Sequence, residues 1–596
     1  MNPETRNCQN CKNEFRIAPE DFEFYEKMEV PPPTWCPECR LIRRFSFRNE
    51  RNLYANTCAL CGQNIISVFH HDLGFTVYCQ PCWWSDKWNP LDYEQDYDFS
   101  KPFFAQFREL MRKTPWAALM SDYVTNVNSD YVNMASHSKN CYLTSHADHN
   151  EDSAYASGLK LSKDCYDGTM VQQSELSYEC LNVTKGFKNV FSVDCENSYD
   201  IYFSRNLVGC SNCVGCVNLR NKSHHIFNEP YTKEEYFKKL EELNLGSYES
   251  LMRVREKTEK LWNKFPQKYY HGAYNTKVSG DYIHHSKDVH ASYEMIGVEN
   301  AKFCQFLSTK PTEDCYDYTE WGDSASLIYE AIVSGVEISK LKFVWGVRSG
   351  SRESEYTMHS TGIKNVFGCV NLRKKEYCIL NRQYTKESFD KLKAKIIGHM
   401  YEMPYVDAKG RIYKYGEFFP SELSPFAYNE TVQEFFPLTK EEAIKQGFRW
   451  RDPEARQYQA SVAASSLPDN IKDAPDSILG EVIGCAHEEK CNHQCTKAFR
   501  LISPELAFLR KMNLPLPRLC PNCRHYERIK YRNPMRLWKG SCQCAGADSE
   551  NLVYKNSGGH PNHDPAEHCH NGFETSYAPD RPEIVYCESC YLAEVM

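Results

Sequence analysis

The sequence predicts a mainly β fold with helical insertions, in which small paired-cysteine ribbons, in tandem at both ends, flank a duplicated β-solenoid-like repeat region. Three observations predict it. Cysteines in C-x2-C or closely similar pairs concentrate at the two ends of the 596-residue chain. One register of like residues joins those ends at a constant offset of 484, pairing Cys11 with Cys495, Phe15 with Phe499, Met28 with Met512, Cys36 with Cys520, Cys39 with Cys523, Arg48 with Arg532 and Cys58 with Cys542. The middle holds a second duplication: DCYDGT at Asp164 returns as DCYDYT at Asp314, and GCVNLRNKSHHIFNEPYTKEEY at Gly215 as GCVNLRKKEYCILNRQYTKESF at Gly368, an offset of 150 to 153. Repetition on this scale marks units stacked from one supersecondary pattern.

Residues 1–90 read as two ribbons in tandem. Cys8, Cys11, Cys36 and Cys39 form the first four-cysteine set, and Cys58, Cys61, Cys79 and Cys82 the second. A C-x2-C pair on a tight turn lets two thiolates reach one ion, and a second pair closes a tetrahedron at about 2.3 Å per bond, so zinc is the expected metal. Residues 91–127 follow as a linker and helix, with the acidic run DYEQDYD from Asp92 read as solvated linker. Residues 485–596 repeat the tandem ribbons, with Cys491, Cys495, Cys520 and Cys523 as the third set and Cys542, Cys544, Cys587 and Cys590 as the fourth. Cys485, His487 and His493 crowd the third set. The fourth is irregular: its first pair is C-x-C, and a His-rich insert brings His560, His563, His568, Cys569 and His570, any of which can replace a thiolate. Up to four zinc ions are expected. Closed four-thiolate sets leave no position for water, which points to folding rather than catalysis.

Residues 128–245 and 279–398 are the two repeat units, joined by a helical connector at 246–278. Within the first, NCYLTSHADHNE, DSAYASGLKLSK, DCYDGTMVQQSE and LSYECLNV begin at Asn140, Asp152, Asp164 and Leu176, a twelve-residue step. A strand of four or five residues and a polar turn fill such a step, which predicts β-solenoid rungs with Cys141, Ser153, Cys165 and Ser177 stacked in one interior column. The later blocks, around Tyr199, Cys210 and Cys213, are unevenly spaced after Phe187. Cys210, Cys213 and Cys216 invite a metal reading, but the second unit keeps only Cys369 of the three. Small thiols packing a narrow interior account for them better. Helices are expected after the capping boxes Thr232 with Glu235 and Thr439 with Glu442, from Ser247 to Phe265, and in equivalent places after Pro19 and Pro504. Residues 399–484 form a connector ending in the polar, proline-broken stretch from Arg451 to Glu481, which reads as a linker.

The first residues, MNPETRNCQNCKNEF, show neither the basic nor the apolar region of a signal peptide, and no apolar run approaches the ~20 residues of a spanning helix. A cytoplasmic location is expected, where thiols stay reduced, and no membrane partner. A net charge of −8 argues against indiscriminate nucleic-acid binding. Each tandem pair nevertheless holds a basic stretch interleaved with aromatics: Arg40, Arg43, Arg44, Phe45, Phe47 and Arg48 at the front, and Arg524, Tyr526, Arg528, Lys530, Tyr531 and Arg532 at the back. Guanidinium forks fit phosphates and rings stack on unpaired bases, so these arginines and Lys530 are candidate nucleic-acid-binding residues, with RNA or a ribonucleoprotein as partner. The competing account puts the same arginines in salt bridges to nearby acids. A protein partner suits cysteine ribbons equally well.

Enzyme chemistry finds little support. His146, Asp148, His149 and Glu151 form a compact polar cluster suited to metal binding or acid–base work, but the second repeat has no equivalent. The pairs His70-His71, His224-His225 and His284-His285 point to opposite faces if they lie in strands. No phosphate loop, Rossmann glycine pattern or nucleophile elbow is present. The expected function is therefore a non-enzymatic zinc-binding interaction or scaffold protein. The alternatives are a β-helix enzyme acting on a polysaccharide and a purely protein–protein scaffold.

Three strings, VPPPTWCPECRLIRRFSFRNERNLY, CWWSDKWNPLDY and MPYVDAKGRIYKYGEFFPSELSPFAYNE, resemble an uncharacterised family of zinc-ribbon proteins from uncultivated bacteria. The likeness runs over nearly the whole chain. It implies terminal C-x2-C pairs around Tyr/Cys-rich middle repeats, and no particular activity.

Overall fold

The computed structural model describes residues 2–309, 311–452, 459–488, 490–544 and 569–595. Among them the protein is mainly β, with twelve α-helices. It divides into two compact units, each discontinuous in sequence. One comprises residues 1–119, 270–451 and 535–537, and so joins the N-terminal cysteine ribbons to the second repeat. The other comprises residues 120–269, 452–534 and 538–596, and joins the first repeat to the C-terminal ribbons. The two duplications read from the sequence thus belong to one duplication of a ribbon-plus-repeat unit, with the copies nested rather than consecutive.

The first repeat is built from parallel strands in a constant register. Lys163 pairs with Glu175, Glu175 with Phe187, Phe187 with Tyr199, Tyr199 with Ser211, and Ser211 with Ser223. The twelve-residue step therefore continues through the region after Phe187 where the sequence blocks looked uneven. A finer period underlies it. Every third residue from Met134 to Phe227 has positive φ, and all but three of these residues carry side chains. Such a conformation costs a non-glycine residue roughly 1 to 2 kcal/mol unless its surroundings fix it. Here the ladder does so: the N–H groups of Asp152, Tyr155, Gly158 and Leu161 each donate to the carbonyl thirteen residues earlier.

The complementary phase of that period is the core. Every third residue from Cys141 to Cys216 is buried, and most are Cys, Ser, Ala, Gly or Val. Cys165 pairs with Ser177, and the Ser153 hydroxyl accepts the Cys165 N–H at 3.0 Å, so the column anticipated from the sequence forms. The interior is narrow. A Cβ at Gly168 would lie 3.1 Å from Val171 Cγ2. Burial pushes the Cys165 and Cys180 thiols up to about 12, and they stay protonated, donating to backbone carbonyls. Cys210 and Cys216 donate to carbonyls in the same way.

The second repeat keeps the parallel order with a looser step. Glu299 pairs with Glu313, Glu313 with Ser326, Ser326 with Ser339 and Ser339 with Arg352 before twelve-residue pairing returns at Arg352 with Lys364. The three thirteen-residue steps from Glu313 to Arg352 account for the growth of the offset from 150 to 153.

Helices arise where the local signals place them. Thr232 and Thr439 form capping boxes with Glu235 and Glu442, and Ser247 caps Tyr248–Trp262. Pro19–Lys27 and Ser503–Met512 begin with proline in the first turn and lay equivalent aromatics on equivalent tyrosines. Phe24 stacks on Tyr316 at 3.9 Å in one unit, and Phe508 on Tyr166 at 4.4 Å in the other. Two stretches read as linkers are tied to their units, the first by a side-chain bond and the second by buried apolar residues. Tyr97 within DYEQDYD bonds through its hydroxyl to His399 Nδ1 at 2.8 Å, and Leu467, Ile471, Ala474 and Ile478 are buried.

Candidate metal centres

Each cysteine set is assembled from two local pieces. The first pair follows a short hairpin strand: Glu4–Asn7 before Cys8, Tyr54–Thr57 before Cys58, Ile483–Gly484 before Cys485, and Trp538–Ser541 before Cys542. Lys12 and Gly62, one residue past Cys11 and Cys61, take φ of 66° and 74° to close the turn. The second pair does not sit on a tight turn as the sequence reading expected; it opens a helix. Cys36, Cys79 and Cys520 are the N-caps of Pro37–Phe45, Gln80–Trp84 and Pro521–Ile529, and Cys587 precedes Glu588–Val595. Helix N-termini carry partial positive charge and free N–H groups, which favour thiolate over thiol.

The sets then close on one geometry. The first-pair sulfur accepts the N–H of the helix-opening cysteine in all four: Cys8 from Cys36 at 3.2 Å, Cys58 from Cys79 at 3.2 Å, Cys485 from Cys520 at 3.3 Å and Cys542 from Cys587 at 3.3 Å. Sulfur separations of 3.8 Å for Cys11 with Cys36 and for Cys61 with Cys79 match the ~3.8 Å edge of a tetrahedron with bonds of about 2.3 Å. Burial pushes the Cys58 thiol up, but the N–H groups of Cys79, Cys61 and Leu60 outweigh it and hold it at about 6. Cys8, Cys11, Cys36 and Cys39 form one potential metal group, and Cys58, Cys61, Cys79 and Cys82 another.

At the C-terminal end the structure revises the membership. Cys485, not Cys491, joins Cys495, Cys520 and Cys523. Strand register shows why: Phe499 pairs with Ile483 as its counterpart Phe15 pairs with Arg6, so Cys485 stands where Cys8 stands. Nine residues separate Cys485 from Cys495, against two between Cys8 and Cys11. The constant offset breaks across that insertion, so spacing along the chain alone favours the nearer Cys491 over Cys485. In the fourth set Cys569 comes in from the His-rich insert and groups with Cys542, Cys544 and Cys590, while Cys587 lies 3.8 Å from it. His560, His563 and His568 lie outside the described residues, and His570 is exposed.

The basic stretches are placed differently from the expectation of a nucleic-acid surface. Arg43 and Arg44 are 0% exposed, Arg40 1% and Arg48 4%. Arg40 and Arg44 meet Asp317 at 2.8 and 3.0 Å, Arg43 meets Glu330 and Glu417 at 2.9 and 3.0 Å, and Arg48 meets Glu320 at 3.0 Å. Burial opposes charge on Arg43, yet the two glutamates raise its pKa. The other unit repeats the pattern. Arg524 pairs with Asp167 at 3.1 Å and Glu505 at 2.8 Å, and Arg528 with Glu179 at 2.7 Å. Asp167 and Asp317 are equivalent positions of the duplicated DCYD strings. A guanidinium enclosed with its carboxylate cannot reach a phosphate, so these six arginines hold ribbon helix to repeat instead. Lys530 is half-exposed and paired with Glu527 at 3.0 Å, and Arg532 is partly buried.

His149 is exposed, bonded to Asp148 at 3.0 Å and stacked on His137 at 4.1 Å, while Glu151 pairs with Lys139 and Lys163. These side chains ladder along an outer face of the first repeat. His70 and His71 lie at the turn His71–Leu73, where their rings stack at 4.2 Å instead of diverging.

No protein-family model and no curated protein matches the chain. Among solved structures, a candidate acetyltransferase from Desulfovibrio desulfuricans G20 aligns over 49% of this chain and 86% of that one, at 10% identity and a TM-score of 0.10. So slight a likeness carries no argument. Among the described residues no helix is long and apolar enough to cross a membrane.

Proposed function

We propose that this protein is a non-enzymatic, zinc-stabilised scaffold of the zinc-ribbon family its sequence resembles. The observation that carries the reading is the closed cysteine geometry: thiolate-only groups, with tetrahedral edges near 3.8 Å where sulfurs touch and helix N-termini behind them. Sulfur-only closed tetrahedral sets suit zinc and leave it no substrate position. The parallel twelve-residue ladder, with its narrow buried column, supports a β-solenoid as the rigid element on which the ribbons are mounted. So many reduced thiols suit a reducing compartment such as the cytoplasm.

Of the two partner classes, protein is favoured over RNA, because the arginines best suited to phosphate are spent inside each unit. Elemental analysis of the purified full chain tests the reading. At least four zinc ions per chain, one for each ribbon set, is the expected result, and metal content near zero would sink it. An RNA mobility-shift titration at low salt separates the partner classes: tight, salt-sensitive binding would reverse the preference.

A further inference from the structure

The insertion that displaces Cys485 from the expected spacing carries its own ligands. His487, Cys491 and His493 lie within residues 486–494, and the N-terminal ribbon has nothing in their place. The structure gathers these three side chains with Cys523, one ligand atom from each, all within 4.8 Å of one another. Cys491 Sγ stands 3.7 Å from Cys523 Sγ, close to the edge of a tetrahedron around one ion. The two imidazoles approach each other at 5.3 Å between ring centres, and Tyr526 stacks on His493 at 5.2 Å. The Nδ1 atoms of both histidines are buried and have no hydrogen-bond partner. Burying a polar nitrogen unsatisfied costs about 1 to 3 kcal/mol, so two side by side, with two sulfurs, need an explanation.

We propose that Cys523 is a bridging thiolate between two metal ions: one held with Cys485, Cys495 and Cys520, the other with His487, Cys491 and His493. Cys523 already belongs to the first group, and a thiolate has lone pairs for two ions. The second position is a closed two-sulfur, two-nitrogen set, which takes a borderline divalent ion such as zinc. Charge favours the pair. Four thiolates on one divalent ion leave two excess negative charges in a buried site. A second ion bringing one further thiolate and two neutral imidazoles leaves one. Two ions each about 2.3 Å from the shared sulfur stand at most about 4.6 Å apart. The insertion thus turns one of two equivalent ribbons into a dinuclear centre.

This inference rests on the zinc-ribbon reading, and the test separates their failures. Native mass spectrometry of the zinc-loaded full chain is compared with His487→Ala/His493→Ala, substitutions in the inserted loop that spare the four-thiolate set. The double variant should carry one ion fewer than the unmodified protein. Equal, non-zero counts overturn the second position and leave the ribbons standing; no zinc in either protein sinks the ribbon reading itself. Cadmium-113 NMR of the cadmium-loaded chain reads the bridge directly. A mixed sulfur–nitrogen resonance, coupled to a four-sulfur resonance and lost in the double variant, is expected. An uncoupled resonance would refute sharing of Cys523.

Discussion

Replacing Asp317 by Asn tests the placement of the basic stretch most directly. Asp317 is fully buried and receives Arg40 at 2.8 Å and Arg44 at 3.0 Å. At the effective dielectric appropriate to such sites, each pair is worth ~6 kcal/mol in gross Coulomb energy, most of which offsets desolvation of the ions. Removing one partner forfeits the attraction and leaves the desolvation, a net loss of about 3 to 5 kcal/mol. Glu330, 2.9 Å from Arg43 and 3.9 Å from Arg40, keeps the loss from being larger. Equilibrium urea unfolding followed by tryptophan fluorescence measures it, with Asp167→Asn as the matched change in the other unit. Lys530→Ala, which breaks an exposed pair with Glu527, should cost less than about 1 kcal/mol. Replacing one cation and one anion together, Arg44→Met with Asp317→Leu, should recover at least half of the single-variant loss, because Arg40 and Arg43 then balance Glu330 and Glu417. If Asp317→Asn shifted the midpoint no more than Lys530→Ala, the arginines would not be enclosed and the case against a phosphate-binding surface would fall.

Three further outcomes follow from the geometry. His359 is enclosed between Trp116 and Trp345 at 5.0 and 4.5 Å, and burial, helped by Arg348, lowers its pKa to about 3. A histidine depressed in the folded state contributes stability above its unfolded pKa near 6.5 and loses it as pH falls toward 3, at most about 5 kcal/mol. His359→Phe should flatten acid unfolding over that window, and an unchanged pH profile would contradict the burial. Ser177→Leu, in the fully buried column of the first repeat, should cost about 1 to 3 kcal/mol by overpacking, read as a lower urea midpoint at constant slope; a neutral effect would mean the column is not closed. Cys485→Ser should make one zinc far easier to remove with a colorimetric chelator, whereas Cys11→Ser should do so in the N-terminal ribbon. Identical release curves for Cys485→Ser and the unmodified chain would return Cys491 to the third set.

Much of the local chemistry was legible because it is local. The N-terminal ligand sets follow from C-x2-C pairs that a hairpin turn and a helix start bring together within a few residues. The capping boxes at Thr232 and Thr439 needed only the three-residue spacing. The twelve-residue step was visible in the strings beginning at Asn140, Asp152 and Asp164. What looked like its breakdown after Phe187 was a change in surface residues, since the buried third positions run on through Ser192, Cys195, Ser198, Ile201 and Ser204. A search for small residues at period three would have found this. The displaced Cys485 was harder to see. Only pairing of Ile483 with Phe499 shows which cysteine stands at the head of that ribbon.

The sequence by itself determined that the protein is a duplication bearing paired-thiolate sites, because spacing along the chain limits which thiolates one hairpin and one helix start can bring to an ion. Tertiary structure alone decided what the intervening arginines do. Their pattern of cations and aromatics is the same whether it faces a phosphate or a carboxylate, and the carboxylates at Asp317 and Asp167 lie hundreds of residues away. Burial and charge pairing are properties of the folded neighbourhood, which is why the front arginines belong with the second repeat and the back ones with the first.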